Sequence, residues 1–178
     1  PGVSTAELDR VAREYIRSRG AEPSCLGYCG YPASICASVN EVIVHGIPSE
    51  DIVLKEGDIV SIDLCAYKNG FHGDGARTFA VGAVSEEKQK LMRVTEECFW
   101  KAVEHLRAGT PLYDIGATVQ AHAESNGFSV VREYVGHGIG REMHEDPSVP
   151  NYGKRGTGVR LRPGTVICIE PMIAAGAR

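Results

Sequence analysis

Asp63 and Asp74 are the first residues whose type and spacing suggest chemistry. Both lie in a predicted hairpin, and the register set by its turn makes them diagonal neighbours, about 7–8 Å apart between Cα atoms. Two carboxylates this close repel each other unless a shared proton or a divalent cation lies between them. The alternative is two solvated hairpin residues. It is disfavoured because Ile59, Val60 and Ile62 make the first strand apolar.

Glu170 and His137 could complete such a site. Glu170 ends the apolar run 166–169, as Asp63 ends its own strand segment. Hard oxygen ligands with one imidazole suit Mn²⁺, Fe²⁺ or Co²⁺, and Zn²⁺ is also compatible. His137 lies within Gly136-His137-Gly138-Ile139-Gly140, where flanking glycines let the backbone approach a ligand closely. A purely structural histidine is the alternative there.

The other histidines carry weaker signals. His45 and His144 could move protons near neutral pH. We expect His72, His105 and His122 to be surface or structural residues.

The elements that must position these residues can be predicted from periodicity and turn signals. A capping box, Ser4 to Glu7, opens a helix that Gly20 ends. The hairpin has strands over 58–67 and 71–81 with Asn69-Gly70 as a type I′ turn. The remaining predictions are a helix over 85–107, a helix that Thr110-Pro111 opens and Gly127 ends, and strands over 128–135 and 165–171.

An internal repeat appears when the sequence is shifted against itself so that Gly2 falls on Gly109. Without a gap, the same shift places Gly20 on Gly127. It also places the stretch 54–63 on the stretch 161–170, with matching residue types at most positions. We expect two copies of one helix–strand unit related by a pseudo-twofold axis, which would bring Asp63 and Glu170 toward one centre. The repeat also predicts that a single domain over 1–178 is incomplete at both ends.

Composition excludes several classes of protein. The 178 residues include 19 basic and 23 acidic side chains, a net charge of −4, which is no footprint for nucleic-acid binding. The sequence contains no apolar run long enough to span a membrane and no signal peptide at its start. Six cysteines without a C-x-x-C pair predict reduced thiols in a cytoplasmic protein.

Four segments together carry a specific resemblance that spans nearly the whole chain. They are Ser38-Val39-Asn40-Glu41-Val42-Ile43-Val44-His45-Gly46-Ile47-Pro48, Asp63 through Gly73-Asp74-Gly75-Ala76-Arg77-Thr78, Gly136-His137-Gly138-Ile139-Gly140, and Ile169-Glu170-Pro171. They resemble type I methionine aminopeptidase. The resemblance implies the α+β pita-bread fold, with helices outside a central antiparallel sheet, and removal of an N-terminal methionine from peptides and nascent chains.

The resemblance also implies roles for individual residues. Asp63, Asp74, His137 and Glu170 become ligands of two divalent ions (Mn, Co, Fe or Zn), or of one, with Asp74 bridging. His144 would offset charge on the attacked carbonyl, and His45 would contact the substrate. Glu170, or the family's second bridging glutamate, would pass a proton to the leaving amine. The pocket for the first side chain would be lined by Cys25, Tyr28, Tyr31, Cys36 and Met143.

Three departures from the family pattern and three alternative functions accompany the resemblance. The family's second bridging glutamate has no match, its pocket tryptophan has no match either because Trp100 lies in a predicted helix, and Met143 stands where bacterial members usually have Phe. The alternatives are an Xaa-Pro peptidase, a non-catalytic binding module on the same scaffold, and an H-E-x-x-H zinc protease. The last is excluded because Ser148 stands where that motif needs its second histidine. The expected partners are a peptide beginning with Met and the ribosome, for a monomer without a nucleic-acid or membrane site of its own.

Overall fold

The computed structural model describes residues 1–176 and divides into two compact units. Unit 1 comprises Pro1–Glu86 with Gly140–Met143, and unit 2 comprises Glu87–Ile139 with the residues from His144 onward. No helix of the described residues is long and apolar enough to cross a membrane.

Unit 1 packs one helix against an antiparallel sheet. Its elements are α1 (Thr5–Ser18), β1 (Glu22–Pro23), β2 (Ile35–Val39), β3 (Ile59–Lys68) and β4 (Phe71–Ala80). Strand β4 pairs with β3 along its whole length, while β1 and β2 pair with β3 at opposite ends of that strand. The predicted hairpin is confirmed, because Lys68 pairs with Phe71 across Asn69-Gly70. The predicted N-cap is confirmed, since the N–H of Glu7 donates to Ser4 Oγ at 3.1 Å, but the box is not closed, because the Glu7 carboxylate accepts from Arg10 instead.

Unit 2 has two helices and short strands. Its elements are α2 (Glu86–Glu104), whose first residue belongs to unit 1, α3 (Tyr113–Ser125), β5 (Ser129–Val130), β6 (Gly136–Gly138), β7 (Glu145–Val149) and β8 (Ile173–Ala174). Strand β5 pairs with β8 and β6 with β7, all antiparallel. The helices enclose an apolar core that includes Val94, Cys98, Ile115 and Val119.

Three predictions for unit 2 are wrong in their bounds. Helix α3 begins at Tyr113, because Pro111 instead forms a bridge with Arg160. The strand predicted over 128–135 shrinks to β5, and the segment 165–171 forms only a single bridge, Ile167 with Gly138. The apolar runs at these places indicate burial, but a buried segment does not have to form a long β-strand.

The internal repeat is visible in the backbone of the two units. In unit 1 the N–H of Gly2 donates to Leu54 O at 2.7 Å, and in unit 2 the N–H of Gly109 donates to Leu161 O at 2.8 Å. Both glycines have positive φ, 85° and 90°. The same offset therefore relates local geometry as well as residue types. The pseudo-twofold axis stays a prediction.

Candidate metal centre

His137 in unit 2 is held by a strand in which glycines are required. On either side of it, a Cβ at Gly136 would collide with Cys168 O, and one at Gly138 with Asp146 O. Only glycine therefore lets these backbones approach so closely. The imidazole itself is buried, with 9% of the residue exposed.

Glu170 reaches His137 because the neighbouring segment is bonded to β6. The N–H of Cys168 donates to His137 O at 2.7 Å, and the N–H of Ile139 donates to Val166 O at 3.2 Å. Two residues beyond Cys168, the carboxylate of Glu170 lies with Oε1 3.1 Å from His137 Nε2. The backbone bonds of the segment 166–169 to β6 therefore place the carboxylate of Glu170 next to the imidazole of His137.

The two facing atoms fit a cation between them. His137 Nδ1 lies 2.8 Å from Gly138 O, a carbonyl that can only accept, so Nδ1 carries the proton. In the neutral ring Nε2 then presents a lone pair to Glu170 Oε1. That oxygen is buried and makes no hydrogen bond. A doubly protonated ring would make this contact an ion pair. With the ordinary neutral ring the two acceptors repel, unless a cation binds both. A backbone carbonyl that fixes the tautomer is the usual support of a metal-binding histidine.

Cys168 is a third ligand-bearing side chain here, and the sequence analysis did not select it. The ligand atoms of His137, Cys168 and Glu170 all lie within 4.8 Å of one another. A signal existed, because residues two apart in an extended segment point to the same side. A thiol adds a soft ligand to a nitrogen and an oxygen, a set that Zn²⁺, Fe²⁺ or Co²⁺ accept.

Asp63 and Asp74 occupy the predicted positions in unit 1. Asp74 pairs with Cys65 and Asp63 pairs with Ala76, so the two aspartates are diagonal neighbours across β3 and β4. The alternation of side chains along each strand and the register leave both carboxylates on the same face. The predicted register is confirmed.

Beside Asp63, unit 1 gathers three of the predicted pocket residues. Cys36 pairs with Asp63 across β2 and β3. The pKa of the Cys25 thiol is raised to about 12, mainly by burial and to a smaller extent by the nearby Cys36 and Asp63. Burial also raises the pKa of Cys36, and burial with a hydrogen bond to Cys36 raises the pKa of Tyr31. These side chains therefore stay protonated and neutral at ordinary pH. Tyr28, by contrast, is exposed.

His45 follows β2 in a loop that is anchored to that strand. Its φ is 58°, and the next residue, Gly46, accepts a bond from Ala37 N–H at 2.8 Å and donates to Ser38 Oγ at 3.0 Å. The hydroxyl of Tyr31 lies 3.1 Å from Gly46 O as well. The loop therefore presents His45 from a fixed base.

The remaining predicted residues are placed as follows. The ring of His144 lies 4.3 Å from the ring of His137 between centroids, tilted by 53°, in unit 2. Met143 is buried in unit 1. Two of the histidines expected to be surface or structural residues, His72 and His122, have hydrogen-bonding partners. His72 Nδ1 lies 2.8 Å from Ser24 Oγ, and His122 Nε2 lies 2.7 Å from Glu97 Oε2.

Comparison with known proteins identifies the class to which this arrangement belongs. Residues 1–177 match the model of metallopeptidase family M24. The structure is similar to that of methionine aminopeptidase from Thermotoga maritima, with a TM-score of 0.98 and 45% identity over 99% of this chain and 71% of that one. It is also similar to an Xaa-Pro dipeptidase from Bacillus anthracis, with a TM-score of 0.80 and 29% identity over 96% of this chain and 46% of that one.

The sequence comparisons point to one type of enzyme within this class. The chain is 56% identical to methionine aminopeptidase of Clostridium acetobutylicum, over 99% of this chain and 70% of the relative. It is 52% identical to methionine aminopeptidase 1 of Bacillus subtilis, over 100% of this chain and 71% of the relative. The chain belongs to metallopeptidase family M24, among its methionine aminopeptidases, and its fold is the pita-bread fold.

Proposed function

We propose that this chain is a metal-dependent aminopeptidase that removes an N-terminal methionine from peptides and nascent proteins. The observation that carries the proposal is the pair formed by His137 Nε2 and the buried, unbonded Oε1 of Glu170, 3.1 Å apart. Relatives at 50–56% identity are named methionine aminopeptidase, which supports this substrate over the Xaa-Pro alternative.

Four residues are the proposed ligands of the metal centre. They are Asp63, Asp74, His137 and Glu170, with the thiol of Cys168 beside the last two. When bound, divalent ions would lower the pKa of a bound water and polarise the carbonyl of the scissile bond. Mn²⁺, Co²⁺, Fe²⁺ and Zn²⁺ are the candidates, and either one or two ions would satisfy these ligands.

The chain's own residues position and move protons around the scissile bond. His144, exposed beside the ring of His137, donates to the oxygen on which negative charge develops. Glu170 passes a proton to the leaving amine. His45 contacts the substrate near the nitrogen of the scissile amide, and Gly46 holds its loop against β2.

The proposed pocket for the methionine side chain is lined by Cys25, Tyr28, Tyr31, Cys36 and Met143. Neutral thiols and aromatic rings contact a thioether favourably and leave no buried charge opposite it. The raised pKa of Cys25, about 12, supports this because the thiol stays protonated at neutral pH. We further propose that the protein acts in the cytoplasm as a monomer that meets nascent chains at the ribosome.

The first test is peptide hydrolysis by protein that has been stripped with a chelator. Separate samples are reconstituted with Mn²⁺, Co²⁺, Fe²⁺ or Zn²⁺ and given Met-Ala-Ser, Leu-Ala-Ser or Ala-Pro-Ser. Metal-dependent release of Met alone is expected. Cleavage of Ala-Pro-Ser instead would indicate the Xaa-Pro activity, and no cleavage with tight metal binding would indicate a binding module.

The second test is the variant Asp74→Asn, which keeps the shape of the side chain but removes its charge. A bridging carboxylate loses most of its ligand strength as an amide, so metal-dependent turnover should fall to background. Asp51→Asn, an exposed aspartate of the same unit, is the matched control and should keep full activity. Full turnover by Asp74→Asn would sink the assignment.

A further inference from the structure

Asn151 is a buried polar residue that belongs neither to the proposed metal ligands nor to the groups proposed to move protons. Only 1% of it is exposed, and it lies in unit 2, just beyond β7. Its Nδ2 donates a hydrogen bond to the backbone oxygen of Glu170 at 2.6 Å, across 19 residues of chain. Its Oδ1 is also buried and makes no hydrogen bond.

The backbone around Asn151 cannot shift easily. Gly116 of α3 lies so close that a Cβ there would collide with Pro150 O and Tyr152 O, the carbonyls on either side of Asn151. The N–H of Gly153 reaches Gln120 Oε1 on the same helix at 3.3 Å. Helix α3 therefore serves as a fixed base from which the amide of Asn151 reaches toward Glu170.

The Glu170 segment, in contrast, has few bonds of its own. It belongs to no strand, and the following residue is Pro171, which has no N–H to donate. Its nearest backbone bonds are those of Cys168 N–H to His137 O and of Val131 N–H to Met172 O at 3.0 Å. Between these two bonds, the amide of Asn151 holds the backbone of Glu170.

We propose that Asn151 is a positioning residue that holds the carboxylate of Glu170 opposite His137 Nε2 and thereby sets the metal affinity of the site. A residue kept only for packing would not leave a buried carbonyl without a partner, because that costs stability. A side-chain amide whose role is to donate to Glu170 O can be retained despite this loss of stability. The inference rests on the proposed role of Glu170 as a metal ligand.

The experiment compares Asn151→Asp with Asn126→Asp. The first variant keeps the shape but replaces the donor with a carboxylate that repels Glu170 O. Asn126 is the matched control, because its Nδ2 also donates to a backbone oxygen, that of His122, at 2.9 Å in the same unit. Co²⁺ affinity is measured by titration calorimetry on the stripped protein, together with thermal unfolding without metal and the visible spectrum of bound Co²⁺.

Asn151→Asp should weaken Co²⁺ binding by about 10-fold or more and change the Co²⁺ spectrum, as is typical when a group supporting a ligand is lost. Asn126→Asp should bind Co²⁺ as the unaltered protein does, whatever its unfolding temperature. Equal affinity and an unchanged spectrum for Asn151→Asp would overturn the inference. In a Glu170→Gln background, Asn151→Asp should have little further effect, because the ligand it positions is already lost.

Two further measurements separate the outcomes. Glu170→Gln alone tests the proposed function: if it binds Co²⁺ unchanged, Glu170 is not a ligand, whatever Asn151 does. A crystal structure of the unaltered protein with Co²⁺ decides the inference even if Asn151→Asp does not fold. The hydrogen bond from Asn151 to Glu170 O should persist there while the carboxylate binds the ion, and its absence would refute the positioning role.

Discussion

At the scale of single residues, the thiol of Cys168 lies next to an imidazole and a carboxylate, and we expect it to affect metal choice more than any other side chain there. Ligand softness, more than overall affinity, decides which divalent ion a site prefers. His137 and Glu170 alone would suit Mn²⁺ as well as Zn²⁺. The sulfur of Cys168, within 4.8 Å of both ligand atoms, favours the softer ions.

Cys168→Ser should therefore lower the affinity for Zn²⁺ relative to that for Mn²⁺ by about 10-fold, because a hydroxyl is a hard and weak ligand. Competition with a chelator of known affinity measures both constants. Cys29→Ser, an exposed cysteine of unit 1, is the control and should leave the ratio unchanged. An unchanged ratio in Cys168→Ser would show that the sulfur does not take part.

The thiol of Cys25 provides a prediction about pH. Burial raises its pKa from the ordinary 9.0 to about 12. At pH 8 only about one such thiol in ten thousand is ionised, so iodoacetamide should label the exposed Cys29 long before Cys25. Peptide mass spectrometry of timed samples measures the two rates. Equal rates would contradict the burial of Cys25.

The same shift has a consequence for stability. Between pH 9 and 12 the unfolded thiol ionises while the folded one stays protonated. The unfolded state thus holds fewer protons, and the free energy of unfolding falls as the pH rises through this range. Cys25→Ser should show a smaller fall, measured by urea unfolding at several pH values.

At the scale of elements, Asp9 joins helix α1 to strand β2. Asp9 is buried, and its Oδ1 accepts from the N–H groups of Ser34 and Ile35 at 2.6 and 3.1 Å. Arg13 completes the link, with Nη2 2.5 Å from Asp9 Oδ2 and Nε donating to Ser34 Oγ at 2.8 Å. The start of β2 leads directly to Cys36, so this helix sets one wall of the proposed methionine pocket.

Asp9→Ala should reduce the free energy of unfolding by about 3 kcal/mol, because it leaves two buried N–H groups without their charged acceptor. Urea unfolding measures the loss. Asp51→Ala, an exposed aspartate of the same unit, should change it by less than about 0.5 kcal/mol. Similar values for the two variants would mean that the link to β2 contributes little.

The elements that could be predicted from the sequence are those specified by residues close together in the chain, such as turn and capping residues. Asn69-Gly70 selects a two-residue turn, with φ of 53° and 86°, and the turn then fixes the register that makes Asp63 and Asp74 neighbours. The segments 128–135 and 165–171 have no such turn. Their apolar residues indicate burial, whereas their partners are set by bonds over long sequence distances. For the same reason the link from Asn151 to Glu170 was not predictable.

At the scale of the whole molecule, the internal repeat preserves backbone bonds more faithfully than side chains. The N–H of Leu54 donates to Val3 O at 2.9 Å, and the N–H of Leu161 donates to Thr110 O at 2.9 Å. Asp63 and Glu170, which occupy equivalent positions, differ in length but share a carboxylate. Backbone geometry that recurs in both units should therefore respond to substitution in the same way in each.

Gly57 and Gly164 test this equivalence, because the repeat places one on the other and they have φ of 89° and 86°. An alanine is strained in this left-handed region, so Gly57→Ala and Gly164→Ala should each lower the free energy of unfolding by about 1 kcal/mol. Gly73→Ala is the control, since Gly73 lies in β4 outside that region with nothing within 4 Å of an added Cβ. It should leave the protein as stable or more stable, because glycine weakens a strand. Urea unfolding of the three stripped variants measures the differences. A large loss at one of the paired glycines and none at the other would mean that the repeat no longer imposes the same backbone requirement on the two units.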